Sequence, residues 1–209
     1  MQDNDNLRAE KSISGQDLAN NLVINYGIDL PFGHGQTYLS SISGAANAVI
    51  GGWRVNGITT FRSGTPIALI SGQGNVLTTF GIGTYGILRP NYTAGCNKSA
   101  PGSPHSAARA NQWFNTSCFT QPGSYAMGNE PRVDPTMKSE GEDNFDVSIN
   151  KSFDLMEQTK LKFSAEIFDL FNHAQFALPN PTLSSPGFGQ VGHQLNLPRT
   201  IQLSLRLSF

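Results

Sequence analysis

The chain is short of charge. Asp, Glu, Lys and Arg make up only 14% of its 209 residues, and the formal net charge is −1. That excludes the basic footprint of a nucleic-acid binder. Long hydrophobic runs are missing too: nothing approaches the ~18 consecutive apolar residues of a transmembrane helix. Cysteine is nearly absent. Cys96 and Cys118 stand alone, without the C-x-x-C spacing of a zinc site. The histidines, His34, His105, His173 and His193, are scattered with no ligand spacing to one another or to the cysteines. No glycine-rich turn closes a strand pattern and opens a helix pattern, so phosphate cradling is unsupported. Asp3-Asn4-Asp5-Asn6 offers oxygen ligands but lacks the later Gly and Glu of a calcium loop. Residues 1–20 are polar, with no apolar core or cleavage site of a secretory signal. These absences leave no catalytic, cofactor-binding or metal-binding set. The chain is expected not to be an enzyme.

What is present is glycine (22), proline (12) and phenylalanine (13), an all-β, loop-rich composition. The strictest pattern lies at 199–209. Ile201, Leu203, Leu205, Leu207 and Phe209 are apolar, and Thr200, Gln202, Ser204, Arg206 and Ser208 between them are polar. A period of two means an extended strand with one greasy and one wet face. Its length matches the roughly 9–11 residues of a tilted transmembrane β-strand. A half-buried strand of a soluble sandwich would look the same.

The same alternation recurs upstream. Over 21–30, Leu22, Ile24, Tyr26, Ile28 and Leu30 share a face, with Val23 the mismatch. Residues 33–52 are small and read as a connection, with a short helical turn near 45–50. Over Trp53–Arg62, the apolar face carries Trp53, Val55, Thr59 and Phe61, and Ile58 intrudes on the other. Aromatics at both ends of an apolar band fit the girdles at two membrane interfaces. Residues 144–154 and 159–167 alternate again around a tight turn, which makes a hairpin. Lys151 falls on the apolar face near one end, where its long stem can snorkel. The phase slips at Phe168, Leu170 and Phe171, which predicts a bulge or an exit from the bilayer.

Two segments carry no such pattern. Residues 71–141 and 172–198 are polar and rich in Gly, Pro, Asn and Ser, with a short strand expected near 78–88. Connections therefore alternate between short and long, as in outer-membrane barrels, whose periplasmic turns are short and external loops long. The expected fold is all-β: antiparallel transmembrane β-barrel strands with long extracellular loops. Residues 1–20 read as a polar, solvated external segment, and 21–209 as part of a barrel with long loops at 71–141 and 172–198. The cysteines both lie in the first long loop, where a Cys96–Cys118 disulfide is favoured over free thiols in an oxidising compartment. The polar strand positions Arg54, Asn56, Arg62, Asp146, Asn150, Lys162, Glu166, Gln202 and Arg206 are expected to face the lumen. Sequons at Asn91, Asn97 and Asn115 are attributed to chance in so Asn- and Ser-rich a chain.

Certain strings are more specific. Gly51-Gly52-Trp53-Arg54-Val55-Asn56-Gly57-Ile58 is followed by Phe61-Arg62-Ser63-Gly64-Thr65-Pro66. Asp29-Leu30-Pro31-Phe32-Gly33 precedes them; Ala165-Glu166-Ile167-Phe168-Asp169-Leu170-Phe171-Asn172-His173, Phe176 and a final Phe209 follow. In this order, from about Asp17 onward, the chain resembles the C-terminal region of TonB-dependent outer-membrane receptors. It is most similar to the Oar-like group, which carries a carboxypeptidase-regulatory-like domain at its N-terminus.

The resemblance implies a bacterial outer-membrane location and a part in energised passage or binding of large, unidentified ligands. It implies the last strands of a barrel of about 22 strands, with no cofactor. Partners would be outer-membrane lipid, the barrel-assembly machinery and, in the full-length parent, an inner-membrane TonB-type energy transducer. Leu203, Leu205, Leu207 and Phe209 resemble the C-terminal signal that the assembly machinery reads. Two other readings stay open: a complete small barrel of about eight strands, and a soluble disulfide-bearing β-sandwich that binds carbohydrate.

Overall fold

The computed structural model describes residues 2–3, 5–72, 88–100, 106–156 and 158–209. The strand expected near 78–88 lies outside the described residues, apart from Leu88. In chain order the described elements are α1 (Leu7–Glu10), β1 (Asn21–Asp29), α2 (Gly44–Ile50), β2 (Trp53–Arg62), β3 (Pro66–Ile67), β4 (Asn91–Tyr92), α3 (Ala107–Asn111), β5 (Phe119–Thr120), β6 (Asp134–Lys138), β7 (Glu142–Met156), β8 (Thr159–Phe168) and β9 (Thr200–Ser208). A 3-10 turn covers Thr116–Cys118. The chain divides into two compact units.

One unit comprises Asn21–Phe61, Asp143–His173 and Leu197–Phe209. Its frame is a five-stranded sheet in the order β1-β2-β7-β8-β9. The three C-terminal strands pair antiparallel in a register that sorts side chains by polarity. Val147, Ile167 and Ile201 form one row, Ile149, Ala165 and Leu203 the next, and Phe153, Leu161 and Leu207 another. Between them run Ser148-Glu166-Gln202, Asn150-Ser164-Ser204 and Ser152-Lys162-Arg206. A slip of one residue in any strand would mix the two sets, so the alternation itself specifies the register. On β1 and β2 the same division holds: Asp29 pairs with Arg54 on the polar face at 3.4 Å, and Tyr26 covers Gly57 on the other.

Aromatic side chains cluster at both ends of the apolar face. Trp53 meets Phe163 edge-on, with centroids 6.1 Å apart, toward one end. Phe61, Phe145 and Phe171 make edge-on contacts of 5.5 and 4.8 Å toward the other. The slip anticipated after Ile167 is the end of β8, where Asp169 and Asn172 take left-handed backbone angles (φ 52° and 55°). The apolar face of β9 is uncovered: Leu203 is 67% and Leu205 66% exposed. A soluble sandwich would bury this row, so that reading fails on its own central requirement.

The second unit comprises Met1–Asn20, Arg62–Glu142 and Ala174–Asn196. The long polar segments are loops by connectivity, but they fold around a core of Ile67, Leu69, Trp113, Phe114, Cys118, Phe119 and Met137, with Phe188 packed against it. Strands β3 and β6 pair, as do β4 and β5. Phe114 stands edge-on to Phe119 and to Phe188, with centroids 5.8 and 5.1 Å apart. Cys96 and Cys118 form a disulfide whose Cα atoms are 5.6 Å apart. Residues 5–9 are exposed, as expected of a solvated segment, but Gln2 and Glu10 on either side of them are buried and anchor it. The Gln2 side chain donates to the Gly128 carbonyl at 2.9 Å and accepts from the Arg89 amide at 2.6 Å. Glu10 and Arg89 form a buried ion pair at 3.1 Å. Isolated apolar residues scattered among Gly, Pro and Asn carry no period, which is why this core left no trace in the sequence pattern.

Gly128 makes this anchoring possible, because a Cβ there would lie 2.0 Å from the Arg89 carbonyl oxygen, a backbone atom that cannot swing away. Gly128→Ala is expected to destabilise the unit by about 1–3 kcal/mol. Denaturant unfolding followed by Trp fluorescence measures it; an unchanged midpoint would contradict the close approach.

Candidate functional site

The sheet brings most of the polar strand residues onto one face. Glu166 stands between Ser148 and Gln202, and Lys162 between Ser152 and Arg206. Asn150 accepts from the Ser164 hydroxyl at 2.7 Å and donates to Ser148 at 3.1 Å. Arg54 reaches Asp29 and also donates to Asn56 at 3.1 Å. Asp146 is used differently: its carboxylate accepts from the Asp169 amide at 3.0 Å and caps the end of β8. Arg62 belongs to the other unit, where it is paired with Glu142 at 2.8 Å. The face is a hydrogen-bonded polar surface of mixed charge. It is suited to water or to a polar ligand surface. Leu203, Leu205, Leu207 and Phe209 lie on or just beyond the exposed strand β9, Phe209 being 96% exposed.

The loop unit contains a second polar arrangement that strand periodicity could not reveal. A cleft of about 520 Å³ is lined by Tyr92, Lys98, Arg109, Trp113, Asp134 and Lys138, among others. At its base the Lys98 ammonium bonds Glu130 at 3.0 Å and also Asp134, and lies 4.1 Å from the centroid of the Tyr92 ring. Glu130 and Asp134 are almost fully buried. The Arg109 guanidinium lies over the Trp113 ring at 4.9 Å, and the Trp113 indole donates to the Lys138 carbonyl at 2.7 Å. Disulfide-bonded Cys96 is two residues before Lys98, so the covalent link also positions the cation. The hint the sequence offered was the cysteine pair in the first long loop.

Electrostatically the trio divides its roles. Burial pushes the Glu130 carboxyl up to about 7; a hydrogen bond with Asp134 adds to the rise, and Lys98 opposes it. Burial also works to raise Asp134, but bonds from Lys98 and Thr136 outweigh it and hold that carboxyl below its ordinary value. Burial works to lower Lys98, yet its two carboxylate partners keep it above the usual lysine value. Asp134 is thus the standing anion and Glu130 a carboxyl that retains its proton in mildly acidic solution.

A family model described as an outer membrane beta barrel domain matches residues 1–202. No curated protein and no protein of solved structure matches the chain.

The buried trio predicts a pH response. Because folding raises the Glu130 carboxyl, its contribution to stability is complete below its ordinary value of 4.5 and is lost as pH rises toward about 7. Asp134 acts oppositely, its contribution being lost as pH falls below its ordinary 3.8. Hydrogen-exchange protection of the Asn115 and Glu130 amides, bonded to the Lys98 and Pro90 carbonyls, should therefore decline between pH 4.5 and 7, and Glu130→Gln should flatten that decline. A slope retained in the Gln variant would contradict the assignment. Removing the disulfide by Cys96→Ser with Cys118→Ser is expected to cost this unit about 2–5 kcal/mol. Loss of exchange protection across the core should report it, and unchanged protection would show the link to be dispensable.

Proposed function

Because the chain belongs to the outer membrane beta barrel domain family, we propose that it supplies strands to a larger barrel of the TonB-dependent receptor type and shares in the energised passage or binding of large ligands. Outer-membrane location and antiparallel β-barrel class follow from the family itself. The finer reading rests chiefly on one observation. Among the described residues β1 and β9 are the outermost strands of the five-stranded sheet, each with a neighbour on one side only. In hydrocarbon every backbone group needs a partner, so an open sheet is not a finished membrane structure. The strings shared with Oar-like receptors, in the same order, support the same conclusion.

A complete small barrel would need about three more spanning strands. The remaining described strands, β3 to β6, run from two to five residues. That is well short of the ~9–11 residues a spanning strand needs. In the proposed receptor the polar sheet face borders the lumen, and the apolar face meets lipid. Leu203, Leu205, Leu207 and Phe209 are read by the barrel-assembly machinery, and the inner-membrane transducer acts on the parent protein. The role is one of passage and binding, with no chemistry performed on the ligand.

The mass of the native species tests this. Antibody raised against residues 106–156 should detect, in detergent-solubilised outer membranes of the source cells, a heat-sensitive band far larger than the 22.5 kDa of this chain. A single band at 22.5 kDa would instead establish the small barrel.

A further inference from the structure

The link between β1 and β2 is built rather than slack. From Leu30 to Trp53 it contains no Asp, Glu, Lys or Arg, and His34 is its one titratable side chain apart from Tyr38. Phe32 and Tyr38 pack ring to ring at 5.7 Å, and the Tyr38 amide donates to the Pro31 carbonyl at 2.9 Å. The Asn47 side chain on α2 accepts from the His34 amide at 2.8 Å and ties the loop to the helix.

Lys151 fixes where this link runs. It sits in the apolar row of β7, opposite Phe163. It does not snorkel to solvent as the sequence suggested: it is 4% exposed. Its ammonium donates to the carbonyls of Val49 and Gly51 at the C-terminal end of α2, and lies about 5 Å from the ring centroids of Trp53 and Phe153. The Trp53 indole donates to the same Val49 carbonyl at 2.8 Å. A cation at a helix C-terminus satisfies orphan carbonyls and complements the helix dipole. Since Lys151 projects from the apolar face, the end of α2 lies over that face, not over the polar one.

The link then turns its own apolar side chains outward. Val49 is 69% exposed, and Tyr38, Leu39 and Ile50 lie open beside it. A water-filled periplasm gives no reason for an uncharged segment to expose them. We infer that residues 31–50 form an interfacial anchor, a short uncharged flap seated in the phospholipid headgroup zone at the end of the barrel that carries the short connections. The exposed row of β9 and this flap then form one continuous lipid-contacting surface, with Trp53 and Lys151 at the depth where amphipathic aromatics and cations settle. The inference rests on the assignment of the apolar face to lipid.

Both native cysteines of this chain are bonded, so within it a single introduced thiol takes a nitroxide label. Labels at Val49→Cys, Leu39→Cys, Gln36→Cys and Leu205→Cys are compared in the complete barrel that contains this chain, reconstituted in phosphatidylethanolamine–phosphatidylglycerol vesicles. Collision with oxygen reports lipid, and collision with an aqueous nickel chelate reports water. The expected result is an oxygen-to-nickel ratio at Val49 and Leu39 shifted toward that of Leu205 and away from that of Gln36. A water-like ratio at Val49 and Leu39 with a lipid-like one at Leu205 overturns the anchor alone. A water-like ratio at Leu205 as well overturns the face assignment and the anchor together. Replacing Lys151→Met should loosen the tie, read as a narrower, more mobile spectrum at Val49; an unchanged spectrum would show that the ammonium does not hold the helix.

Discussion

The structure depends on the two-faced strand. An antiparallel ladder satisfies the backbone only where another strand lies alongside, and alternation assigns each side chain to one of two solvents. In β7, β8 and β9 the register aligns apolar rows with apolar rows and polar rows with polar ones over the whole paired length. No single row is strong. Their agreement is what fixes the pairing, because any slip would carry Phe153, Leu161 and Leu207 against Lys162 and Arg206. The same rule explains Lys151. A cation placed in an apolar row is costly unless its protons are engaged. Here two helix carbonyls and two aromatic faces engage them, and the link that supplies the carbonyls is thereby drawn over the apolar face.

The loop unit obeys a different logic. Its sequence is polar and broken by glycine and proline, yet it assembles a core from residues far apart in the chain. A covalent link at Cys96–Cys118, an aromatic stack around Phe114 and a buried cation between two carboxylates replace the regular ladders. Such networks are demanding, since each partner leaves the others unpaired if it is lost. They suit an exported segment that must hold a defined shape without large hydrophobic strands. The cleft above Lys98 is consequently lined by side chains already committed to one another, with Arg109 braced on Trp113.

The sheet was legible in the sequence because its signal is local. The hairpin of β7 and β8, the helical turn before Gly51 and the strand β9 all follow from a period of two and its interruptions. The loop unit was not legible because its signal is not local: Ile67, Trp113, Phe119 and Met137 are neighbours only after folding. Gln2 looked solvated for the same reason, its partners at Arg89 and Gly128 lying beyond any sequence window. Lys151 was recognised as an exception on its strand, but a snorkelling lysine and one capped by a helix are identical until the link folds. The polar face was read from alternation alone, and the structure added how its members are used, with Asp146 serving a strand end and Arg62 a partner in the loop unit.

The register requires the two faces of the sheet to meet two solvents. Introducing one cysteine at a time from Thr200 to Ser208 in the membrane-inserted protein and measuring reaction with a water-soluble maleimide tests it most directly. Fast labelling is expected at Gln202, Ser204 and Arg206, and slow labelling at Leu203, Leu205 and Leu207. Uniform labelling along the strand, or the opposite phase, would contradict it.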